Sequence, residues 1–404
     1  MTEATALPAP IWNILIGQDE VVTKLDRAVH DAELITRGEH GPAMTHAWLF
    51  TGPPGSGRSN AATAFAAALV CPENGCGQCQ ICRNAPTGGH PDVDIVRPQG
   101  LTYGVDDARE LIKQAGMSPT SSQWHVVVVE DADRLTDQAV NVLLKAIEEP
   151  PPHTVWVLCA PSTEDVLPTI LSRTRHVVLR TPPDAIVVKA LQERYGIDAS
   201  LAAFAARASQ GHIGRARALA TDEHARMRRQ EVLRIPMQLH DLPACFVHAQ
   251  NLIETATLDA HSITDSLDVQ EAEQLRKAFG ADAESKLKGQ LKRSLDSSMK
   301  QLETTQKRRR TRTVRDQVDR ALVDLLGLYR DVLLLQTGAD VGLINDEMRP
   351  QLSQLAANGT TEDTGRRLLA INYTRKQMES NVTPLMAIEA LMVELKDPWV
   401  RAAS

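Results

Sequence analysis

The sequence predicts an α/β domain followed by an all-α region. Apolar runs typical of buried parallel strands alternate with helix-length segments as far as residue 181. A glycine-rich turn joins the first of these strands to the helix after it, as in phosphate-binding α/β domains. No strand-like pattern recurs after Pro182 and Pro183. We therefore expect a parallel-sheet domain over residues 1–181, a small helical domain over 182–222 and a C-terminal helical domain over 223–404.

The glycine-rich turn reads TGPPGSGRS at residues 51–59, between a predicted strand over 46–50 and a predicted helix over 61–70. Its backbone N–H groups and the helix N-terminus would form a cradle for a phosphate chain. The spacing fits G-x-x-x-x-G-K-[ST] except that an arginine replaces the lysine, which keeps the charge but not the compact ammonium. We expect this change to impair hydrolysis more than phosphate binding. The candidate phosphate-binding residues are Gly52, Gly55, Gly57, Arg58 and Ser59.

Four of the six cysteines follow this helix with the spacing C-x4-C-x2-C-x2-C, which defines a candidate zinc module over residues 71–82. Two close pairs of thiolates suit a tetrahedral Zn2+, and four thiolates leave no open coordination position. The pattern therefore favours a structural zinc over a catalytic one, with free thiols or an iron–sulfur cluster as alternatives. The candidate ligands are Cys71, Cys76, Cys79 and Cys82.

Four valines at 126–129 predict a central buried strand, and three acids, Glu130, Asp131 and Asp133, follow it. In phosphate-loop enzymes, acids at this place hold Mg2+ and polarise water. The usual order is Asp then Glu, whereas this chain has Glu130 then Asp131. Because catalysis is sensitive to misplacement by about an ångström, the reversed order predicts impaired hydrolysis. A solvated acidic turn is the alternative.

The other predicted elements complete the alternation of strands and helices. After the phosphate-loop helix we expect a connection into a second strand, a helix, the valine strand, a helix ended by prolines, a strand, a short helix and a last strand. Three short helices then form the small helical domain. In chain order these segments are 91–98, 105–115, 126–129, 136–149, 154–160, 163–172, 176–179, 185–195, 201–209 and 213–220.

The helical C-terminal region contains a long charged stretch over 271–336 with a basic run inside it. The run is either a solvated helix face or a contact to a DNA backbone or a partner. The net charge of −7 excludes a chain that binds polyanions over its whole surface. No signal peptide and no bilayer-length apolar run is predicted, so we expect a cytoplasmic protein without membrane contact. The basic residues are Lys307, Arg308, Arg309, Arg310 and Arg312.

In combination, these motifs resemble the AAA+ clamp-loader family of bacterial DNA polymerase III. HAWLFTGPPGSG at 46–57 is similar to the family's strand and phosphate loop, and NVLLKAIEEPPPHTVWVL at 141–158 resembles its LLK-LEEPP signature. LPTILSRTR at 167–175 resembles its SRC motif, with Thr174 in place of the cysteine, and GHIGRA at 211–216 resembles its sensor-2 motif. The resemblance covers residues 14–220 and implies an AAA+ domain with a helical lid and a C-terminal collar.

The resemblance also implies roles for two arginines. Arg173 would be an arginine finger that acts in trans on a neighbouring subunit's ATP, and Arg215 would be the sensor-2 arginine. A salt bridge from Arg173 to Glu164 or Asp165 is the simpler structural alternative. Three features depart from those of active subunits: Arg58, the reversed acids and residues 160–162 (Ala-Pro-Ser). The chain would therefore itself bind ATP and Mg2+ weakly or not at all.

The implied function is that of a non-hydrolysing stator in the hetero-pentameric clamp loader, beside gamma/tau and delta subunits. That complex would place the sliding clamp on primed DNA during replication. Two alternatives stay open: an active gamma/tau-type ATPase, or a zinc-dependent nucleic-acid-binding protein with a vestigial nucleotide fold.

Overall fold

The computed structural model describes residues 8–98, 100, 102–280, 289–378, 380 and 382–397. The chain divides into two compact units. The first takes in residues up to Pro98 together with Thr102–Asp222, and the second contains the residues from Glu223 onward. No helix among the described residues combines the length and the apolar character needed to cross a membrane.

The first unit is built on a five-stranded sheet in which every pair of neighbours is parallel, in the order β2-β3-β4-β1-β5. The predicted parallel α/β architecture is therefore confirmed. Parallel strands need crossover connections, so the segments that follow the strands all meet at one end of the sheet. The strands are β1 (Ala47–Thr51), β2 (Val93–Val96), β3 (His125–Val129), β4 (Thr154–Ala160) and β5 (Arg175–Val178).

Among the described residues of the first unit, nine α-helices alternate with and follow these strands. The helix predicted over 163–172 is confined to four residues from Pro168, because a residue preceding proline disfavours the helical conformation. The helices are α1 (Asp19–Thr36), α2 (Arg58–Val70), α3 (Gln80–Asn84), α4 (Val105–Ala115), α5 (Asp137–Glu148), α6 (Pro168–Leu171), α7 (Asp184–Tyr195), α8 (Ala199–Ser209) and α9 (Ile213–Thr221).

Helix α2 is buried along its whole length from Ala61 to Val70. Its many alanines allow the helix to lie close to the sheet, and Phe65 packs edge-on against Trp48 of β1 with ring centroids 5.1 Å apart. β1 itself is fully buried. The glycine-rich turn is therefore held between two buried elements, which fixes its position relative to the sheet.

The second unit has helices and no strand among its described residues, in agreement with the predicted all-α region. Of the long charged stretch, residues 271–278 end one helix and residues 289–336 lie in the next, whereas residues 281–288 lie outside the described part of the chain. These two helices pack against each other. The helices are α10 (Glu223–Gln238), α11 (Leu242–Ala278), α12 (Gly289–Thr337), α13 (Arg349–Ala357), α14 (Thr361–Met378) and α15 (Pro384–Lys396).

Candidate functional site

The phosphate loop follows the carboxyl end of β1 and leads directly into α2. Gly57 precedes the first helical residue with φ of 96°, and Gly55 has φ of 84°, a region that L side chains rarely adopt. A Cβ on Gly55 would lie only 2.3 Å from Cγ of His212. The Ile213 N–H donates to the Gly55 carbonyl at 3.3 Å. The start of α9, which carries Arg215, therefore rests directly on the loop.

Gln18, a residue that sequence analysis did not single out, ties this loop to the end of β5. Its amide Nε2 donates to the Arg180 carbonyl at 2.6 Å and to the Ser56 carbonyl at 3.4 Å. Its Oε1 accepts the Arg180 N–H at 3.2 Å. The only sequence signal was a glutamine just before an amphipathic helix, which by itself does not indicate a long-range contact.

Two polar atoms of the loop are buried without a hydrogen-bond partner in the described part of the chain: Oγ of Ser56 and Nη1 of Arg58. The Ser56 residue is only 1% exposed. Buried polar groups in native proteins are almost always paired. Both orphaned atoms can donate, so the loop's residues fit an anionic group such as a phosphate.

Glu130 lies at the carboxyl end of β3, where the sequence places it, but it is already paired. Both of its carboxylate oxygens accept from Arg97, Nε to Oε2 at 2.7 Å and Nη2 to Oε1 at 3.1 Å. The hydrogen bond with Glu130 raises the pKa of the Arg97 guanidinium against the lowering effect of burial. Asp131 follows in the left-handed conformation with φ of 51°. Sequence analysis did not identify Arg97.

The charges of the loop and of the acidic turn meet around Cys159 of β4. Burial is the main reason that the pKa of this thiol is raised; the charges of Glu130 and Asp131 raise it further and that of Arg58 lowers it. The segment after β4 also touches the loop, since the Gly52 N–H donates to the Pro161 carbonyl at 3.1 Å. The fold therefore brings most of the predicted nucleotide-site residues together at one end of the sheet.

Arg173 lies at the other end of the sheet. It precedes β5, whose Arg175 pairs with Trp48 near the start of β1, whereas the phosphate loop follows the end of that strand. A four-residue strand is about 13 Å long, so Arg173 and the loop of its own chain are well separated.

The guanidinium of Arg173 is held by local partners. It forms an ion pair with Glu148 and donates to the Thr169 carbonyl at 2.8 Å and to Oγ of Ser172 at 3.0 Å. The intramolecular partner is therefore Glu148, not Glu164 or Asp165 as the alternative supposed; Asp165 accepts from Ser162.

The four candidate metal ligands form a compact cluster in which all sulfur atoms lie within 4.8 Å of one another. Sγ of Cys71 lies 3.9 Å from Sγ of Cys76 and 3.8 Å from Sγ of Cys79, and Sγ of Cys76 lies 4.0 Å from Sγ of Cys82. Tetrahedral zinc with Zn–S bonds of about 2.3 Å places sulfurs roughly 3.8 Å apart. The donor set and its spacing therefore fit a four-thiolate metal site, as the sequence predicted.

The backbone of the zinc module, residues 71–82, supports this cluster. The N–H groups of Cys79 and Cys82 each point to the sulfur three residues earlier at 3.4 Å. Burial raises the pKa of the Cys71 thiol, but backbone N–H groups, foremost that of Cys76, bring it down to about 7. Gly75 has φ of 96°, and its carbonyl accepts the Ile11 N–H at 3.1 Å. The module is thus anchored to the N-terminal segment.

The chain is similar to known subunits of bacterial DNA polymerase III. The family model described as "DNA polymerase III, delta subunit" matches residues 32–183. The delta' subunit of Bacillus subtilis is 24% identical over 360 residues, covering 88% of this chain and 92% of that protein. The delta' subunit of Escherichia coli is 34% identical over 180 residues, covering 43% of this chain and 54% of that protein.

The chain therefore resembles the delta' subunits of bacterial DNA polymerase III. It is also similar to the gamma/tau subunit of Mycobacterium tuberculosis, at 36% identity over 174 residues, which cover 42% of this chain and 28% of that relative. The match therefore spans little more than a quarter of the gamma/tau length. A solved gamma subunit-related protein from Thermotoga maritima aligns with a TM-score of 0.40 at 16% identity, covering 91% of this chain and 99% of that one.

Two arginines of the basic run, Arg309 and Arg310, are paired with acids of the neighbouring helix α11. Arg309 of α12 binds Asp268 at 2.5 Å and Glu271 at 2.7 Å, and Arg310 binds Asp268 at 3.0 Å. Arg312 lies 3.9 Å from Asp316. Charges already neutralised within the protein contribute little to a DNA backbone contact. The pairing therefore favours the structural reading of the run.

Proposed function

We propose that this chain is a delta-prime-like stator subunit of the bacterial DNA polymerase III clamp loader. In this role it supports ATP-dependent loading of the sliding clamp onto primed DNA, with Arg173 acting on the ATP of a neighbouring subunit. The observation that carries the proposal is the position of Arg173 at the end of the sheet opposite its own phosphate loop. A guanidinium there serves a site in another chain better than a site in its own.

Glu148 gives this arrangement a physical basis. It ends α5 within the LLKAIEEPP segment and pairs with Arg173, which binds the Thr169 carbonyl as well. Two anchors hold the guanidinium in one orientation at a partly exposed position, as an arginine finger requires. The similarity to the delta' subunit of Bacillus subtilis along 88% of this chain supports the same role.

The chain's own site supports binding without turnover. Arg58 stands where active phosphate-loop enzymes have a lysine, and both carboxylate oxygens of Glu130 accept hydrogen bonds from Arg97. We therefore expect the isolated chain to hydrolyse no ATP. Arg58→Lys should improve nucleotide binding more than turnover, because the paired acid remains. DNA-stimulated ATP turnover by the wild-type isolated chain would instead favour an active ATPase of the gamma/tau type. The 36% identity to a gamma/tau subunit is the observation that supports this alternative.

We further propose that the four thiolates hold one structural Zn2+. Four sulfur ligands complete the tetrahedron, so the metal would order the module and would not activate water. The cysteines of the module hold the ion, and its contact with Ile11 links it to the parallel-sheet unit.

The partners proposed are gamma/tau and delta subunits in a hetero-pentameric ring, and through them the sliding clamp and primed DNA. The test is Arg173→Ala in a clamp loader reconstituted with this chain, compared with Arg109→Ala, an exposed arginine paired with Asp106. Loss of ATP turnover and clamp loading from a correctly assembled Arg173→Ala complex is expected. Unchanged turnover from that complex would rule out the finger. Tight binding of primed DNA by the isolated chain in a filter assay would favour the nucleic-acid-binding alternative.

A further inference from the structure

The acid at the end of β3, Glu130, is paired with a basic side chain of this protein, Arg97. In phosphate-loop enzymes the first acid after this strand helps to hold Mg2+ together with the loop's Ser or Thr, here Ser59. Glu130 stands at that place, and both its oxygens are engaged by the Arg97 fork at 2.7 and 3.1 Å. A bidentate arginine–carboxylate pair is among the stronger ionic contacts in proteins. The residues at the magnesium position therefore do not fit Mg2+.

The backbone enforces this pair. Strands β2 and β3 are in register with Val96 opposite Val129, so the next residue on each strand is Arg97 on one side and Glu130 on the other. The Glu130 N–H donates to the Val96 carbonyl at 2.9 Å. The buried Tyr103 hydroxyl reaches the carbonyls of both Val96 and Glu130, at 3.0 and 2.7 Å. The sheet thus holds the backbone of Arg97 across from the acid, and its 63% exposed side chain reaches the carboxylate from the solvent side.

A divalent ion at this position would face two penalties. It would have to displace the guanidinium from a carboxylate whose side chain is only 10% exposed. The displaced Arg97 would then remain beside the metal as a like charge. Arg58 already supplies positive charge at the loop, and the orphaned atoms Nη1 of Arg58 and Oγ of Ser56 are donors suited to an anion. The loop thus offers donors to a phosphate, and the acid at the metal position, Glu130, is already paired with Arg97.

We propose that Arg97 occupies the magnesium position of this site, so that the phosphate loop takes a phosphate or pyrophosphate group without a divalent metal. The inference deepens the proposed non-hydrolysing role and rests on it for its biological meaning. Its test uses the isolated chain and no partner subunit, so either proposal can fail while the other stands.

The first experiment measures Mn2+ binding by electron paramagnetic resonance. The wild-type chain should have no Mn2+ site that depends on Glu130, so its Mn2+ binding should be the same as that of Glu130→Gln. Arg97→Gln, which frees the carboxylate, should gain a site with at least tenfold tighter binding, and the double variant Arg97→Gln/Glu130→Gln should lose it. Arg97→Lys keeps the positive charge and should still exclude the ion. A Glu130-dependent site in wild type, or no gain in folded Arg97→Gln, overturns the proposal.

The second experiment needs no variant and therefore does not depend on the folding of Arg97→Gln. Calorimetry measures pyrophosphate binding to the wild-type chain in EDTA and in Mg2+. We expect binding in EDTA, with an affinity within about twofold of that in Mg2+ once metal complexation of free pyrophosphate is accounted for. Absence of binding in EDTA, or affinity at least tenfold higher with Mg2+, overturns the metal-free site. Arg109→Gln is the matched surface control for Arg97→Gln in the first experiment.

Discussion

Replacing Glu148 by Gln separates a positioning role for this residue from a stabilising one. The Arg173 and Glu148 side chains are 35% and 40% exposed. Pairs with such exposure contribute about 0–1 kcal/mol to stability. In a unit of this size, that loss lowers Tm by at most about 2–4 °C. A well-placed arginine finger contributes about 10³–10⁵ in rate, or roughly 4–7 kcal/mol of barrier. The two roles therefore differ greatly in magnitude.

Glu148→Gln keeps an oxygen acceptor but removes the charge, so Arg173 retains its bond to the Thr169 carbonyl and loses its strongest anchor. Misplacement on the ångström scale costs up to about 10²-fold in rate. We expect a 10- to 100-fold fall in ATP turnover by the reconstituted complex, a larger fall for Arg173→Ala, and a Tm shift below about 4 °C. Turnover and thermal unfolding measured on the same preparations check both effects.

Glu164→Gln is the matched control, because Glu164 was one of the two predicted partners of Arg173 and lies on the exposed segment before α6. It should leave both turnover and Tm at wild-type values. If Glu148→Gln turns over ATP within twofold of wild type while Arg173→Ala is defective, Glu148 does not position the finger, and the reasoning from the ion pair is refuted.

Three further predictions concern the metal, an acid and a glycine. Purified protein should contain about one zinc per chain by metal analysis, and Cys76→Ser should raise hydrogen exchange over residues 71–82 while sparing the sheet. Burial raises the pKa of the Asp92 carboxyl, but five hydrogen bonds from residues 120–122 hold it below its ordinary range. Asp92→Asn should therefore cost about 2–4 kcal/mol at neutral pH by chemical denaturation. Gly55→Ala should lower Tm and loosen α9, because its Cβ would lie 2.3 Å from His212.

The sign of the Asp92 effect is set by linkage. A carboxyl with a lowered folded pKa stabilises the protein fully above its unfolded pKa of about 3.9, and that stabilisation is lost as pH falls through the folded pKa. The difference in free energy of unfolding between wild type and Asp92→Asn should therefore become smaller below about pH 4. A difference in unfolding free energy that does not change with pH would contradict the role given to Asp92. A zinc content far below one per chain would contradict the metal site. A wild-type Tm for Gly55→Ala would contradict the close approach of His212 to Gly55.

Local pattern was sufficient for most of the architecture. Strand β4 and helix α4 were predicted with the bounds they have, because apolar runs and 3.6-residue periodicity are properties of neighbouring residues. The phosphate loop and the cysteine cluster are likewise local, with all their residues inside two short segments. The short helix before Arg173 was overestimated, since Pro168 sets its start and the apolar spacing continues before it.

The decisive pairs of the site came only from the tertiary structure. Arg97 and Glu130 are 33 residues apart, and Arg173 and Glu148 are 25 apart. Their partnership depends on strand register and on which helix end meets which loop, and no single segment encodes either. The pairing of Arg309 also depends on tertiary structure. In the sequence it belongs to a run of basic residues, and only the packing of α12 on α11 brings it beside Asp268. By itself the sequence determined which chemical groups are present and on which elements; packing decided which charges neutralise one another.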